Sequence, residues 1–405
     1  MIPKLRFSEF MNKEEWVEKH LGDISVNLDS KRVPITSTQR EKGYVPYYGA
    51  SGIIDYVKDY IFNETLLCIS EDGANLIDRN YPIAFSISGK TWVNNHSHVL
   101  KFENFHTQII VETYINSIKI EDFLTGMAQP KLNRAKLDII PIPLPQNLEE
   151  QKKIASCLSS LDENISSNSQ KLELLKDHKK GLMQNLFPQR GEKVPKYRFS
   201  EFEKDGDWTE EKLEKNIDLF SGIAFKSEEI SDNASGVPIL RGINITEGYI
   251  RHTKDIDKYY LGDIKKLDKY LVKENDIVIG MDGSKVGKNV ALISKEDENS
   301  ILIQRVARIR TTKNLDIKFI YQYFTSAKFR SYVDSVNTSS GIPHISAQQI
   351  NDFKARFPPK LQEQQKIASC LFFLDNLITA QTDKIEQLKS HKHGLMQGLF
   401  PKTID

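Results

Sequence analysis

One glycine-rich stretch contains residues of the types that bind phosphate. Residues 280–289 read GMDGSKVGKN, and their first glycine is the last residue of the strand-like run DIVIG. A nucleotide-binding phosphate loop has four residues between its glycines and a serine or threonine after its lysine. Here Gly283 and Gly287 enclose three residues, and Asn289 follows Lys288. The pattern therefore favours a glycine-rich hairpin, whose small side chains and lysines would let backbone N–H groups approach a nucleic-acid phosphate closely.

Side chains suited to nucleic-acid bases occur in predicted loops beside strands. In the major groove of DNA, asparagine and glutamine can form two hydrogen bonds with adenine, and arginine or lysine can do so with guanine. The candidate DNA-binding residues are, in the first half of the chain, Tyr44, Tyr47, Ser51, Asn94, Asn95, His96, Gln129, Lys131 and Asn133, and in the second half, Lys226, Arg241, Asn244, Ser284, Lys285, Lys288, Arg305, Ser339, Ser340 and His344. Taken singly, each is better explained as a solvated loop residue or a turn former. Together they suit major-groove reading.

The sequence offers no catalytic or metal-binding set. It contains no nucleophile elbow, no HExxH motif and no dinucleotide fingerprint. Glu71 and Asp72 are adjacent, so on a strand their side chains would point to opposite faces. His96 and His98 would share a strand face, but no acidic or cysteine partner is close in sequence. We therefore expect no metal and no cofactor bound by this chain.

Length and composition indicate an ordinary soluble protein with more than one domain. The 405 residues exceed what one core usually supports, and 39% of them are apolar and 27% charged. No apolar run approaches the ~20 residues that span a membrane, and the start lacks a signal peptide's apolar core, so we expect a cytoplasmic protein. Three cysteines, Cys68, Cys157 and Cys370, are too few for a disulfide framework or a zinc site.

The net charge of +1 does not indicate a protein that holds a polyanion by bulk charge. If nucleic acid is the ligand, the basic residues must gather on one face, or partner proteins must supply much of the positive charge.

One helical segment occurs twice in the chain. Residues 150–188 read EQKKIASCLSSLDENISSNSQKLELLKDHKKGLMQNLFP, and residues 363–401 read EQQKIASCLFFLDNLITAQTDKIEQLKSHKHGLMQGLFP. Both copies have apolar residues at alternating steps of four and three, the a/d seam of a helix that packs against another helix. The seam residues are Ile154, Leu158, Leu161, Ile165, Leu172, Leu175, Leu182, Ile367, Leu371, Leu374, Ile378, Ile385, Leu388 and Leu395. The obvious partner of each copy is the other copy.

The opening segments are also repeated. PKLRFSEF from residue 3 returns as PKYRFSEF from residue 195, and Trp16 and Trp208 share this offset of 192. The helices recur at an offset of 213, from Ile154 to Ile367, so the second intervening region is 21 residues longer. Because the second opening segment directly follows the first helix, the first should lie near the end of the second helix at Pro401. This arrangement requires antiparallel helices and chain ends that meet, in a pseudo-twofold, nearly circular molecule.

The regions between the repeats are predicted to be α+β. Strand-like stretches are GYVPYYGASGIIDYV, TLLCISEDG and KTWVNNHSHVLKF in the first region, and GVPILRGINI, NDIVIGMDG, NVALIS and ILIQRVARIR in the second. Helical spacing runs from Thr107 to Leu124 and through FIYQYFTSAKFRSYV. The predicted domains are residues 1–148, the central helix at 149–190, residues 191–361, and the distal helix at 362–405.

This organisation resembles the specificity (S) subunit of type I restriction-modification systems, the HsdS family. Two variable regions are each closed by a segment such as PIPLPQNLEEQKKIASCLSSLD or FPPKLQEQQKIASCLFFLD. GYVPYYGASGIIDYV and WVNNHSHVL in the first region, with NDIVIGMDGSKVGK and SSGIPHIS in the second, resemble the family's target recognition domains. The resemblance covers essentially the whole chain, and the repeated EQxKIASCL helix is its most specific part.

The resemblance implies a subunit with no catalytic activity of its own. Two target recognition domains (1–148 and 191–361), separated by an antiparallel helix pair, would each read half of a split, asymmetric sequence in double-stranded DNA. Two copies of a modification subunit, an adenine N6-methyltransferase using S-adenosylmethionine, would bind this chain. Restriction and motor subunits using ATP and Mg²⁺ would join that core.

Helix length would then set the unread gap between the half-sites. Each seam covers 32 positions from Ile154 to Leu186, which is about 48 Å at the α-helical rise. Half-sites one helical turn apart are separated by about 34–36 Å. Two alternatives make different predictions: a stand-alone nuclease or methyltransferase would act on DNA without partners, and a structural coiled-coil scaffold would not bind DNA selectively even with them. The agreement of motifs with architecture favours the specificity subunit.

Overall fold

The computed structural model describes residues 1–126, 129–312, 315–337 and 342–401. The chain forms two compact units. Unit 1 is Met1–Lys171 with Gln381–Asp405, and unit 2 is Leu172–Ala380. Each unit contains one predicted variable region. Over the described ranges, none of the helices combines the length and apolar character needed to cross a membrane.

Short strands build the variable region of unit 1. The strands are β1 Val17–His20, β2 Val26–Asn27, β3 Lys42–Gly49, β4 Gly52–Val57, β5 Phe62–Asn63, β6 Leu66–Ser70, β7 Ala84–Ile87, β8 Lys90–Val93, β9 Ser97–Lys101 and β10 Pro141–Leu144. They form one four-stranded sheet in the order β2-β9-β6-β7, another in the order β4-β3-β8-β5, and the antiparallel pair β1-β10. All three stretches predicted to contain strands do contain them.

The core of unit 1 lies between the β6 sheet and its helices. The helices are α1 Leu21–Ile24, α2 Asn75–Asp78, α3 Phe105–Ser117, α4 Arg134–Asp138 and the first long helix, α5 Leu148–Leu186. Strand β6 is buried along its whole length, because four of the five residues of LLCIS are apolar and the strand has a neighbour on each side. The prediction of one helix as far as Leu124 was wrong, since α3 ends at Ser117 and Ile120 packs into the core from the turn that follows.

Unit 2 has a larger set of strands. They are β11 Thr209–Lys212, β12 Ile217–Ser221, β13 Ile230–Ser231, β14 Val237–Leu240, β15 Glu247–Gly248, β16 Lys258–Tyr260, β17 Ile277–Gly280, β18 Val290–Leu292, β19 Ile301–Leu302, β20 Val306–Thr311 and β21 Lys354–Phe357. A five-stranded sheet has the order β12-β20-β17-β18-β15, a four-stranded sheet has the order β13-β16-β14-β19, and β11 pairs with β21. Strands β17 and β18 are antiparallel neighbours, so the glycine-rich hairpin prediction is confirmed.

Aromatic side chains dominate the core of unit 2. The helices are α6 Ile317–Phe324, α7 Ala327–Val336, α8 Ala347–Asp352 and the second long helix, α9 Leu361–Leu399. Phe319 of α6 stacks on Phe187, with ring centroids 5.3 Å apart, and packs against Trp208 at 5.9 Å. The stretch predicted as one helix is two helices, because Ser326 starts a new one by accepting a hydrogen bond from the Phe329 N–H at 3.1 Å.

The long helices are each 39 residues and pair antiparallel within both units. In unit 1, Lys392 bonds Asp162 at 2.5 Å, and in unit 2, Lys179 bonds Asp375 at 2.6 Å. All fourteen apolar seam residues are buried or half-buried. At the polar interruption in unit 1, the Gln381 amide donates to Asn168 Oδ1 at 2.9 Å. Both amides are thus bonded within the seam, as a register-fixing pair requires.

The opening segment of each unit is attached to the end of a long helix. In unit 1 the Leu5 N–H donates to the Gly398 carbonyl at 2.8 Å, and in unit 2 the Tyr197 N–H donates to the Asn185 carbonyl at 2.9 Å. These are equivalent positions of the repeats. The prediction that the first opening segment lies near the end of the second long helix is therefore confirmed, as are the α+β class and the antiparallel helix pair.

Candidate DNA-reading interface

In unit 1 an Asp–Gly turn follows the buried strand β6. Gly73 has a φ of 109°, a left-handed conformation that suits glycine. Its N–H donates to the Pro130 carbonyl at 3.2 Å, and the Leu132 N–H donates to the Glu71 carbonyl at 2.8 Å. These bonds make a one-residue antiparallel bridge between Asp72 and the residue after the proline. The turn therefore fixes a distant segment of the chain beside the end of β6.

Two candidate DNA-binding residues, His96 and Lys131, meet at this turn. We call Asp72, His96 and Lys131 the unit 1 turn cluster. The His96 ring Nδ1 lies 2.8 Å from Asp72 Oδ2. The Lys131 ammonium lies 3.2 Å from a carboxylate oxygen of Glu71. The His96 and Lys131 side chains are 51% and 52% exposed, so both can meet a ligand.

A corresponding Asp–Gly turn follows the buried strand β17 in unit 2. Gly283 has a φ of 94°. Its N–H donates to the Pro343 carbonyl at 3.0 Å, and the Ile345 N–H donates to the Met281 carbonyl at 2.8 Å. The bridge here joins Asp282 to the residue after Pro343.

Candidate residues also converge on the second turn, and we call Asp282, Arg305 and His344 the unit 2 turn cluster. An Arg305 Nη1–H donates to Asp282 Oδ2 at 2.7 Å. The Arg305 side chain is 67% exposed, and His344 is also exposed. The glycine-rich hairpin adds three exposed candidates directly after the turn, Ser284, Lys285 and Lys288.

A network of charged groups lies next to the unit 1 turn cluster. Oxygen and nitrogen atoms of Asp29, Glu71 and His98 lie within 4.8 Å of one another, close enough to hold a metal ion. However, His98 Nδ1 is 2.6 Å from Asp29 Oδ2 and its Nε2 is 2.7 Å from the Leu132 carbonyl, so neither ring nitrogen is available as a ligand. Arg32 pairs with Glu71 at 2.7 Å. These groups therefore form an ion-pair network without a free ligand atom on His98. The acidic partners of His98, Asp29 and Glu71, come from positions that the sequence pattern did not indicate.

Because of this network, we expect unit 1 to be less stable in acid. Burial raises the pKa of Asp29, but the bonds from His98, the Val99 N–H and Asn27 outweigh it, and the net pKa lies below the ordinary value. The stability from Asp29 is therefore present above its unfolded pKa of about 4 and is lost as pH falls through the lower folded value. Asp29→Asn should reduce the unfolding free energy at neutral pH by roughly 2 kcal/mol. Urea unfolding at several pH values should show this difference shrinking below about pH 4.

A matched control is Asp23→Asn, which changes an exposed carboxylate in the same unit. It should leave stability within about 0.5 kcal/mol of the wild type at every pH. A pH-independent Asp29→Asn difference would contradict a charged role for this carboxylate.

The structure places most candidate DNA-binding residues at the surface. Exposed residues are Tyr44, Ser51, Asn95, His96, Gln129, Lys131, Lys226, Ser284, Lys285, Lys288, Arg305 and His344, and half-buried ones are Asn133 and Arg241. Asn133 caps α4 by accepting from the Lys136 N–H at 3.0 Å. Ser339 and Ser340 lie outside the described residues.

Three candidates are buried, and their assignment to DNA binding was wrong. Tyr47 is 1% exposed and its hydroxyl bonds the backbone of Ile35, so it packs inside unit 1. Asn94 is 5% exposed and its side chain accepts from the His96 N–H, which fixes the loop. Asn244 is 1% exposed, with its amide bonded to Asp257 and to backbone. Their polar atoms complete turns within the fold instead of facing a ligand.

Sequence reasoning missed Asp72, Asp282 and Arg32. Asp72 was rejected as half of a catalytic pair with Glu71, because adjacent residues on a strand point to opposite faces, and Asp282 was not singled out. The shared signal was a buried apolar run followed directly by Asp–Gly, LLCISEDG and IVIGMDG, which occurs once in each half.

Comparison with known proteins identifies the family. The family model described as "Type I restriction modification DNA specificity domain" matches residues 13–177 and again residues 206–390. The chain belongs to this family. The MjaVIII type I restriction enzyme specificity subunit of Methanocaldococcus jannaschii is 28% identical, over 96% of this chain and 93% of that protein. The EcoAI type I restriction enzyme specificity subunit of Escherichia coli is 31% identical, over 48% of this chain and 32% of that protein.

A solved structure has the same fold as this specificity-family chain. The crystal structure of the S subunit of a type I restriction-modification system from M. genitalium matches with a TM-score of 0.70 and 14% identity, covering 100% of both chains. The prediction of a specificity subunit, and not an enzyme, is confirmed by the family and by the relatives' names.

Proposed function

We propose that this specificity subunit directs a type I restriction-modification complex to DNA, and that unit 1 and unit 2 each read one half of a split, asymmetric site. The proposal rests on a duplication that is seen both in the family match and in the structure. The family model matches each half of the chain separately, and each unit has an exposed turn cluster at the end of a buried strand. Two different clusters on one repeated frame suit two different half-sites.

Partner subunits would supply the chemistry. The chain would bind two modification subunits that methylate adenine N6 with S-adenosylmethionine, and restriction subunits using ATP and Mg²⁺ would act through the same complex in the cytoplasm. Partner charge also accounts for a DNA-reading chain with a net charge of only +1.

The long helices would set the number of unread bases. A 39-residue helix is about 58 Å long at the α-helical rise. Half-sites separated by one helical turn need about 34–36 Å, so the helices are long enough to determine this spacing.

The proposal predicts a split methylation motif with independent halves. The chain should be co-expressed with the modification subunit of its own system in a host without adenine methyltransferases, and the genome read by single-molecule methylation sequencing. We expect one motif of two half-sites with a fixed gap. Replacing residues 16–148 by the corresponding region of a relative should change one half-site only. The gap should stay constant because both long helices keep their length and all their residues from 149 onward.

The chain expressed without its modification subunit is the control and should leave the genome unmethylated. Methylation by the chain alone would identify an enzyme instead. Absence of any motif in the presence of the modification subunit would favour a structural scaffold, and a change in both half-sites after the swap would refute independent reading.

A further inference from the structure

We propose that Asp72 and Asp282 are equivalent positioning residues, which hold His96 and Arg305 so that these side chains read base edges, and that Arg305 reads a guanine in the half-site of unit 2. This inference rests on the proposed function. It assigns the reading of one base pair to a named side chain in each half of the protein.

The equivalence of the two turn clusters follows from backbone bonds. In unit 1 the Glu71 N–H donates to the His96 carbonyl at 2.9 Å, and in unit 2 the Met281 N–H donates to the Arg305 carbonyl at 2.9 Å. The adjacent pairs of strand residues also correspond. Ser70 is paired with Ser97 in unit 1, and Gly280 is paired with Val306 in unit 2. His96 and Arg305 therefore occupy the same place in the fold.

The third member of each cluster corresponds in the same way. Lys131 and His344 each follow a buried or half-buried proline and each bridge to the aspartate of the turn. In both units the aspartate bonds one basic side chain, and a second basic residue is bridged to its backbone. The identities of the basic residues differ between the units, as two readers of different sequences require.

The carboxylates favour base edges over phosphates as the target. A cation that binds phosphate acts through its net positive charge, and a carboxylate within 2.8 Å of it would cancel that charge. Reading a base depends instead on the direction of N–H donors. A carboxylate bonded to one side of the basic group orients the remaining donors without competing for them.

Arg305 has the geometry of a guanine reader. Its guanidinium carries five N–H donors, and among the described residues Asp282 is its one hydrogen-bond partner. The remaining donors can form the two bonds that arginine makes with guanine O6 and N7. The bond to Asp282 already restricts the Arg305 side chain, so less rotamer freedom is lost when this side chain binds a base.

The backbone of Arg305 supports a functional constraint. Its φ is 66°, in the left-handed region that non-glycine residues rarely adopt. Such a conformation persists where the surrounding structure imposes it, and it is common at ligand-binding positions. The Arg305 side chain is exposed and bonds the Asp–Gly turn through Asp282.

The test compares methylation motifs of single variants in the complex with the modification subunit. Arg305→Gln should relax one base pair of the unit 2 half-site, with discrimination against non-guanine bases falling by roughly 10- to 100-fold. Asp282→Asn should relax the same base pair by a smaller factor, because Arg305 is retained but less restricted. The other half-site should stay unchanged in both, while Asp72→Asn and His96→Gln should affect only that other half.

The control for Asp282→Asn is Asp352→Asn. Asp352 at the end of α8 also pairs with a single basic side chain in unit 2, Lys212 at 2.5 Å, and is not a member of the turn cluster. It should leave the motif intact. Thermal melting of every variant, and co-purification with the modification subunit, separate altered reading from altered folding.

Several outcomes would overturn the inference without touching the proposed function. An unchanged motif in Arg305→Gln would do so, as would equal loss of methylation at all sites by a variant that folds and assembles, since that is the behaviour of a phosphate contact. If Arg305→Gln unfolds, the shape-conserving Asp282→Asn decides the question alone. Failure of the wild-type complex to methylate any split motif would instead refute the proposed function.

Discussion

Replacing Glu150 with glutamine should destabilise unit 1 by about 3 kcal/mol, because it breaks a buried ion pair. The Glu150 carboxylate accepts two bonds from Arg6, from Nε and Nη2, each at 2.8 Å, and a third from the Trp16 indole N–H at 3.0 Å. The Arg6 and Glu150 side chains are 4% and 1% exposed. A glutamine side chain would turn an NH₂ group toward one of these donors and leave the guanidinium charge uncompensated. The melting temperature should fall by roughly 6–12 °C.

The expected loss can be separated from a general effect of charge removal. Glu149→Gln, at the exposed neighbouring position, should change stability by less than about 0.5 kcal/mol. Arg6→Met added to Glu150→Gln should restore part of the loss, since no buried charge then remains. Equal melting of the Glu149 and Glu150 variants would show that the buried pair contributes nothing.

Unit 2 contains the same arrangement, so Glu363→Gln should reproduce the effect there. Glu363 accepts from Arg198 Nε and Nη2 at 2.8 Å each and from the Trp208 indole N–H at 3.3 Å. In both units the bond to the carboxylate raises the pKa of the arginine. Hydrogen exchange should place the lost protection in unit 1 for Glu150→Gln and in unit 2 for Glu363→Gln.

Phe319→Ala should destabilise unit 2 by roughly 3–5 kcal/mol, because it removes the centre of an aromatic cluster. Phe319 is 0% exposed and contacts Phe187, Trp208, Tyr323 and Phe357. Phe187 directly follows α5, Trp208 directly precedes β11, Tyr323 belongs to α6 and Phe357 to β21. A cavity at this point would loosen the attachment of the variable region to the long helices. Urea unfolding followed by tryptophan fluorescence should detect the change at Trp208.

The matched control is Phe373→Ala on α9, where the ring is 64% exposed. It should have little effect on unfolding. Phe319→Leu should lie between the wild type and Phe319→Ala, because leucine fills much of the cavity. If Phe319→Ala and Phe373→Ala unfold at the same urea concentration, the cluster does not hold unit 2 together.

The repeated frame could be predicted because its information is local. The a/d pattern of α5 and α9 recurs every few residues, and the two copies have nearly identical sequences. The order of repeats then required the first opening segment to lie near the end of α9, which the bond between Leu5 and Gly398 shows. The break in the predicted helix at Ser326 was missed, since apolar spacing continues across it while the cap is made by one hydroxyl group.

The reading surface was only partly predictable. Residue type identified His96, Lys131, Arg305 and His344 as suited to DNA, and the structure leaves all four exposed. The same criterion selected Asn244, which is buried with its amide bonded inside the fold. Polarity does not distinguish an amide that meets a ligand from one that completes a turn, because either satisfies its hydrogen bonds.

The sequence by itself determined the duplicated frame, the antiparallel helix pair and the membership of a DNA-specificity family, because these depend on residue patterns that repeat along the chain. Only the tertiary structure decided that His96 and Arg305 occupy equivalent places, each beside the aspartate of an Asp–Gly turn. That equivalence is made by backbone hydrogen bonds to the segments after Pro130 and Pro343. Such bonds join residues far apart in sequence and do not require similar side chains, so the Asp–Gly turn recurs in the sequence while the basic residues beside it differ.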